Sequence, residues 1–284
     1  MDLPLLSWLE TYTFPCESKF ADLSFALNVY EKSIKRHLKS GTTFASYFAT
    51  LHKESSKLLV DVINRVGQRA FVGKVSMDRN APSFYIEDTD GGCREAEEFA
   101  RYVLSMTPVG KQFLESIDTK SNSLSSESPL SVASLNLGEV ECEKTLLNTL
   151  DTPLVMPVVT PRFVPTCTED MMKFLGKISL RYGLPVQSHM SESMGEIEWV
   201  KSLHPEHGTY AEVYKACNLL HNKAYMAHCC HSSQEEIDVM KSTGAGVVHC
   251  ASSNFNLGSG VMDVRRFIAE GIPVALGTDV AGGK

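Results

Sequence analysis

No stretch of the chain carries the roughly 18 consecutive apolar residues that a membrane-spanning helix needs, and no Gly-x-Gly-x-x-Gly follows any apolar run. Basic residues are not in excess. Lysine plus arginine number 27 against 34 aspartates and glutamates, a net charge of −7, which argues against a polyanion such as nucleic acid as the main partner. The eight cysteines include no Cys-x-x-Cys pair, and the opening MDLPLLSWLETYTF has no basic segment ahead of an apolar one, so it is not read as a secretory signal. Reduced thiols and a cytoplasmic location are the expectation, with Cys229 and Cys250, both set in apolar runs, as small core residues. What remains is an ordinary globular composition, 43% hydrophobic and 21% charged over 284 residues.

Seven short apolar runs, 42–48, 70–75, 154–159, 185–189, 224–228, 246–250 and 273–277, read as strands. They are continuous rather than alternating, as suits parallel strands covered on both faces. Helical spacing occupies 20–40, 55–67, 168–182, 232–244 and 261–270, each ending at or just before a glycine. Alternation of this kind predicts an α/β fold of βα units, a TIM-type barrel in a single domain over 1–284. An open doubly wound sheet is the alternative, without its glycine fingerprint. The serine-rich stretch 118–138 breaks the rhythm and is expected to be a flexible surface insertion.

Ligand-type residues stand at several strand ends: His189, His228, His249 and Asp279. Each alone suits a structural role; together they point to a metal or acid–base site at the C-terminal face of the sheet. Glu192, three residues past His189, is placed for a proton shuttle or for capping a helix. Asp279, between glycines in Gly-Thr-Asp-Val-Ala-Gly-Gly, suits a hard ligand or a helix N-cap. In His228-Cys-Cys-His231, adjacent side chains diverge on a strand, so His228 alone is the candidate ligand. His37, His204, His207 and His221 are expected in solvent, and His52 is a weaker candidate at a strand end.

Gln-Ser-His189-x-x-Glu192, Ala-His228-Cys, His249-Cys-x-x-Ser253-Asn254 and Gly-Thr-Asp279 together resemble the amidohydrolase superfamily and, within it, the guanine deaminases. DLPLLSW (2–8), YTFP (12–15), YFAT (47–50), QRAFVGKV (68–75), TPRF (160–163) and GTDVAGG (277–283) extend the resemblance over nearly the whole chain outside the serine-rich stretch. It implies a (β/α)8 barrel with one zinc ion, held by His189, His228 and Asp279, with Glu192 as general acid/base and Asp279 also accepting a proton from water. It further implies Arg162 contacting the purine, Phe163 shaping the pocket, guanine deaminated to xanthine and ammonia, and a homodimer.

The sequence departs from that family in several places. The family's His-x-His pair occurs nowhere, and Ala251 stands where a proline is usual. The chain is therefore expected to be a partial barrel, without the first strand and the last helix, that holds zinc weakly and has little activity. Two other readings remain: a purine or triazine aminohydrolase of the same superfamily, and a catalytically silent barrel scaffold. A cytidine-deaminase type of zinc site is disfavoured, because its His-x-Glu and Pro-Cys-x-x-Cys pattern is absent.

Overall fold

The computed structural model describes residues 3–124 and 153–280. Of the serine-rich stretch, only 118–124 fall among these, as the end of the helix Pro108–Leu124; the remainder of that expectation lies outside the described residues.

The strands follow one another in space as they do in sequence, and every pairing is parallel. β1 (Phe44–Phe48) pairs with β2 (Arg69–Gly73), which resumes beyond Lys74 as β3 (Val75–Ser76). β2 pairs with β4 (Val155–Pro157), and β3 with β5 (Thr160–Pro161), where the same run of chain resumes. A bridge between Val159 and Val186 leads to β6 (Val186–Met190). From there β6 pairs with β7 (Ala224–His228), β7 with β8 (Gly246–His249) and β8 with β9 (Val274–Leu276). The seven runs expected from the sequence are thus seven parallel rungs, and the α/β barrel-type architecture stands. β1 and β9 pair with no further strand among the described residues, and Phe44 and Leu276 on them are exposed.

Local chemistry explains most of the helices. Lys53–Val66, Glu169–Tyr182 and Gln234–Thr243 each stop at a left-handed glycine, Gly67, Gly183 and Gly244. Thr168 and Ser233 cap the starts of the last two by accepting from Met171 and Glu236 backbone N–H groups. Several helices escape the periodicity reading. Thr89–Leu104 opens on two poor helix formers, Gly91 and Gly92, and is held by the Asp88 carboxylate accepting from Gly91 N–H at 2.7 Å. Met194–Leu203 and Tyr210–Ala216 are short and rely on capping boxes, Ser193 with Glu196 and Thr209 with Glu212. Pro108–Leu124 runs into the serine-rich stretch. Among the described residues no helix is long and apolar enough to cross a membrane.

Three apolar clusters pack against the sheet: one gathers β6–β8 with Glu169–Tyr182, a second β1 and β2 with Leu23–Lys39 and Lys53–Val66, and a small third holds Phe14, Leu51, Val75, Met77 and Tyr85. Cys229 and Cys250 are buried as expected. A polar tie crosses the barrel interior: Ser46 Oγ meets Gln187 Oε1 at 2.7 Å and Tyr225 Oη at 2.6 Å, while Gln187 Nε2 donates to Thr160 Oγ1 at 3.0 Å. A Cβ at Gly73 would lie 1.8 Å from Thr160 Oγ1, so this crossing requires glycine. Outside the barrel, the helix Glu169–Tyr182 presses Gly176 onto the turn at Cys217, where a Cβ would lie 1.9 Å from the Cys217 carbonyl oxygen. Gly176→Ala should therefore destabilise the chain by ~1–3 kcal/mol through overpacking, despite alanine's better helix propensity, and urea unfolding would show the loss; a neutral or stabilising result would mean the helix does not seat this closely.

Candidate active site

Because the rungs are parallel and in one order, their C-terminal ends collect at one end of the sheet, where β/α barrels keep their chemistry. A cavity of about 2240 Å³ lies against them, and Arg162, Phe163, His189, Glu192, His228 and Asp279 all line it. His249 and His52 are not among its lining residues. Each of these two has a buried ring nitrogen without a hydrogen-bond partner, Nδ1 of His249 and Nε2 of His52.

The chain leaves these strands along strained backbone. Ser191, His228, Cys229 and Asp279 all have positive φ, between 48° and 74°, though none is glycine. Strain of this kind persists where surrounding contacts over-determine it, and it gathers at functional sites. His189 and His228 stack with ring centroids 5.3 Å apart at 15°. His189 Nδ1 donates to the Arg162 carbonyl oxygen at 2.7 Å, which leaves its Nε2 as the acceptor. Burial, then the neighbouring His228, pushes the His189 pKa down to about 4, so the ring is neutral at pH 7.

Glu192 is buried beside His228, with its Oε2 3.5 Å from His228 Nε2. Its Oε1 accepts from Asn254 Nδ2 at 3.3 Å and Ser259 Oγ at 3.1 Å. Burial, with Asp279 adding to it, raises the Glu192 pKa to about 8. Behind it Glu196, raised likewise by burial, accepts from the Glu192 backbone N–H at 2.9 Å and from Tyr210 Oη at 2.8 Å.

Arg162 reaches the cavity, but its guanidinium is engaged: Nη1 and Nη2 donate to the two carboxylate oxygens of Glu17 at 2.7 and 3.0 Å. The rings of Phe14 and Phe48 lie 4.9 and 5.9 Å from its guanidinium carbon. Phe163 packs edge-on to Trp199 at 6.4 Å. Sequence reasoning assigned no role to Glu17, Glu196, Asn254 or Ser259. Only Asn254 had a signal, as part of the motif beginning at His249. The exposure expected of His204 is corrected. It is buried, with Nε2 3.1 Å from Arg79 Nη2, because the guanidinium supplies the partner that a solvated ring would find in water. His37 and His221 also bond within the fold, to Tyr47 Oη and Ser179 Oγ.

Two imidazoles and a carboxylate are the donor types that a zinc-class cation takes. As placed, however, no three His, Cys, Asp or Glu side chains stand close enough to hold an ion among the described residues.

A family model described as the amidohydrolase family matches residues 1–284. The chain belongs to the amidohydrolase family. Guanine deaminase of Dictyostelium discoideum is 43% identical over 282 residues, covering 99% of this chain and 53% of that protein. The Homo sapiens guanine deaminase is 40% identical over 285 residues, again with 53% of its length covered. This amidohydrolase chain thus spans about half the length of the curated relatives it matches. Among solved structures, guanine deaminase from C. acetobutylicum with bound guanine superposes with a TM-score of 0.80 at 39% identity, over 99% of this chain and 57% of that one. A triazine hydrolase variant, at 14% identity and a TM-score of 0.72, shares the fold.

A carboxyl whose pKa is higher folded than unfolded adds stability below the unfolded value, ~4.3, and that stability is lost as pH rises through the folded value. For Glu192 the window runs from there to about 8. Urea unfolding at pH 5 and pH 8 should therefore show a larger fall for the wild type than for Glu192→Gln, with Glu196 present in both. Equal falls would remove burial as the cause of the raised pKa.

Proposed function

We propose that this site hydrolyses the exocyclic amine of guanine, giving xanthine and ammonia. The observation that carries the proposal is Glu192: a buried carboxyl with a pKa near neutrality, set against His228 in the cavity, can both give and take a proton at pH 7. The guanine deaminases at 40–43% identity support guanine over other amino-heterocycles.

In this reading the oxygen of a water adds to C2 of the purine, Asp279 takes a proton from that water, and Glu192 protonates the ring nitrogen. The C2–N bond then breaks: the proton that Asp279 took is relayed through Glu192 to the amine, which leaves as ammonia, and the C2 hydroxyl gives its proton back to Glu192 as the carbonyl of xanthine forms. Of the five N–H donors of Arg162, Glu17 holds two; the others remain for a purine carbonyl. Glu17 fixes the plane of the guanidinium, so the direction of those donors is set before a ligand arrives. Phe163, backed by Trp199, supplies an apolar wall. His189, His228 and Asp279 are the residues we propose for a zinc ion, which when bound lowers the pKa of water from ~16 to ~7.

The 284-residue chain supplied with Zn2+ should release ammonia and xanthine from guanine at a low rate, as the absence of the His-x-His pair implies, and Glu192→Gln should lower that rate by roughly 10²–10⁴-fold. A coupled ammonia assay over guanine, adenine and an aminotriazine measures both. Faster turnover of adenine or the triazine, or an unchanged rate in the variant, overturns the assignment.

A further inference from the structure

Two of the groups that meet the Arg162 guanidinium come from one helical turn, Phe14–Glu17. Phe14 and Glu17 are three positions apart and so share a face of that turn. With the Phe14 and Phe48 rings lying against the guanidinium, a ligand reaches it along an edge. The carboxylate is the more accessible partner of the pair: 19% of the Glu17 side chain is exposed against 6% for Arg162, and both line the cavity.

The two carboxylate oxygens of Glu17 are not used equally. Oε2 accepts from Arg162 Nη1 and from Tyr85 Oη, each at 2.7 Å. Tyr85 Oη itself accepts from the Leu51 backbone N–H at 3.1 Å, which anchors it. Among the described residues Oε1 accepts only from Arg162 Nη2, at 3.0 Å. An ionised carboxylate oxygen has two lone-pair sites and each guanidinium Nη has two hydrogens. Oε2 is therefore filled, while Oε1 keeps a lone pair and Nη2 keeps a hydrogen. In a two-point guanidinium–carboxylate pair these stand in one plane, side by side on the same edge.

A lactam is the complement of such an edge, with its oxygen for the Nη2 hydrogen and its N–H for Oε1. A 6-oxopurine carries one, formed by C6=O and N1–H. A 6-aminopurine carries the reverse pattern: its amine would meet the Nη2 hydrogen, and its bare N1 would meet Oε1. Two repulsions would replace two bonds, and a site built to pair polar groups rejects such a ligand strongly because its own groups are left unpaired. The edge is also tied to the histidine end of the site. Phe48 packs edge-on to His189 at 4.7 Å, and the Arg162 carbonyl oxygen accepts from His189 Nδ1.

We propose that Glu17 is a specificity-determining residue: with Arg162 on the 6-carbonyl, Glu17 Oε1 accepts the adjacent N1–H, and the ligand class of the cavity is the 6-oxopurines. This rests on the purine reading of the site and deepens it. N1 of guanine is bonded to C2 as well as to C6, so holding that edge also fixes the reacting carbon. Because N1 already carries its hydrogen, the ring nitrogen beside C2 that Glu192 protonates is N3.

The test is calorimetric titration of the chain with hypoxanthine, 1-methylhypoxanthine and adenine. None carries an amine at C2, so binding is read without the proposed reaction. Wild type should bind hypoxanthine ~10–100-fold more tightly than 1-methylhypoxanthine, as a hydrogen bond to a charged group contributes, and adenine should lose at least as much. Glu17→Ala should weaken hypoxanthine by a similar factor and leave 1-methylhypoxanthine no weaker, so that the two converge. A residue acting only through Arg162 would weaken both alike. Equal affinity of wild type for the first two ligands, no binding of hypoxanthine, or equal losses for both in the variant overturns the proposal; the wild-type comparison decides even where the variant fails to fold. If the ratios hold and guanine yields no ammonia, Glu17 stands and the deamination falls. If guanine yields ammonia while the first two ligands bind equally, Glu17 falls and the deamination stands.

Discussion

Glu192, Glu196 and Glu236 lie buried in one layer behind the strand ends, and each depends on a small, specific set of donors. Glu192 has Asn254 and Ser259. Glu196 has the backbone N–H of Glu192 and Tyr210 Oη. Glu236 accepts from Ser191 Oγ and from the Tyr210 backbone N–H. A buried carboxylate deprived of its donors is strongly destabilising, so these bonds dictate how the loops after β6 and β7 run. Tyr210 belongs to two of the three sets, and Tyr214, stacked on it, bonds the His189 carbonyl oxygen at 2.8 Å. The layer therefore reaches the candidate site through the backbone of His189 as well as through Glu192.

That arrangement also explains how left-handed backbone is tolerated at Ser191, His228 and Cys229. Ser191 is held by its hydroxyl on Glu236, and the Cys229 and His231 backbone N–H groups donate to the Met190 and Ser191 carbonyl oxygens. His228 is held through its ring by Asn254. The strain turns the chain sharply out of the strand and keeps the side chains of His189, Glu192 and His228 on the cavity. The amidohydrolase chain thus spends stability gained elsewhere in its sheet on the placement of a few polar groups, as preorganised sites do.

At the opposite wall, the Glu17–Arg162 pair brings the N-terminal helical segment into the cavity. Tyr85 Oη also donates to Glu17, at 2.7 Å. Since the Arg162 carbonyl oxygen accepts from His189 Nδ1, one residue sets the His189 ring through its backbone while its side chain faces the cavity. The cavity-facing guanidinium and the histidine's free nitrogen are linked by a single stretch of extended chain.

Much of this was legible from residue order. Strand positions followed from continuous apolar runs and helix ends from glycines, because burial on both faces and left-handed backbone constrain residue type locally. The strand-end positions of His189, Glu192, His228 and Asp279 followed from the same runs. The short capped helices were not legible, since a capping box and one turn of helix carry no period. Nor were Glu17, Glu196 and Ser259, which act only through partners far away in sequence: Glu17 meets Arg162 across 145 residues and Ser259 meets Glu192 across 67. The sequence determined which chemistry stands at which strand end, because a strand's neighbours in sequence fix its exit. Only the tertiary structure decided what each group does there, because proton placement and donor supply depend on burial and on partners that folding alone brings within 3 Å.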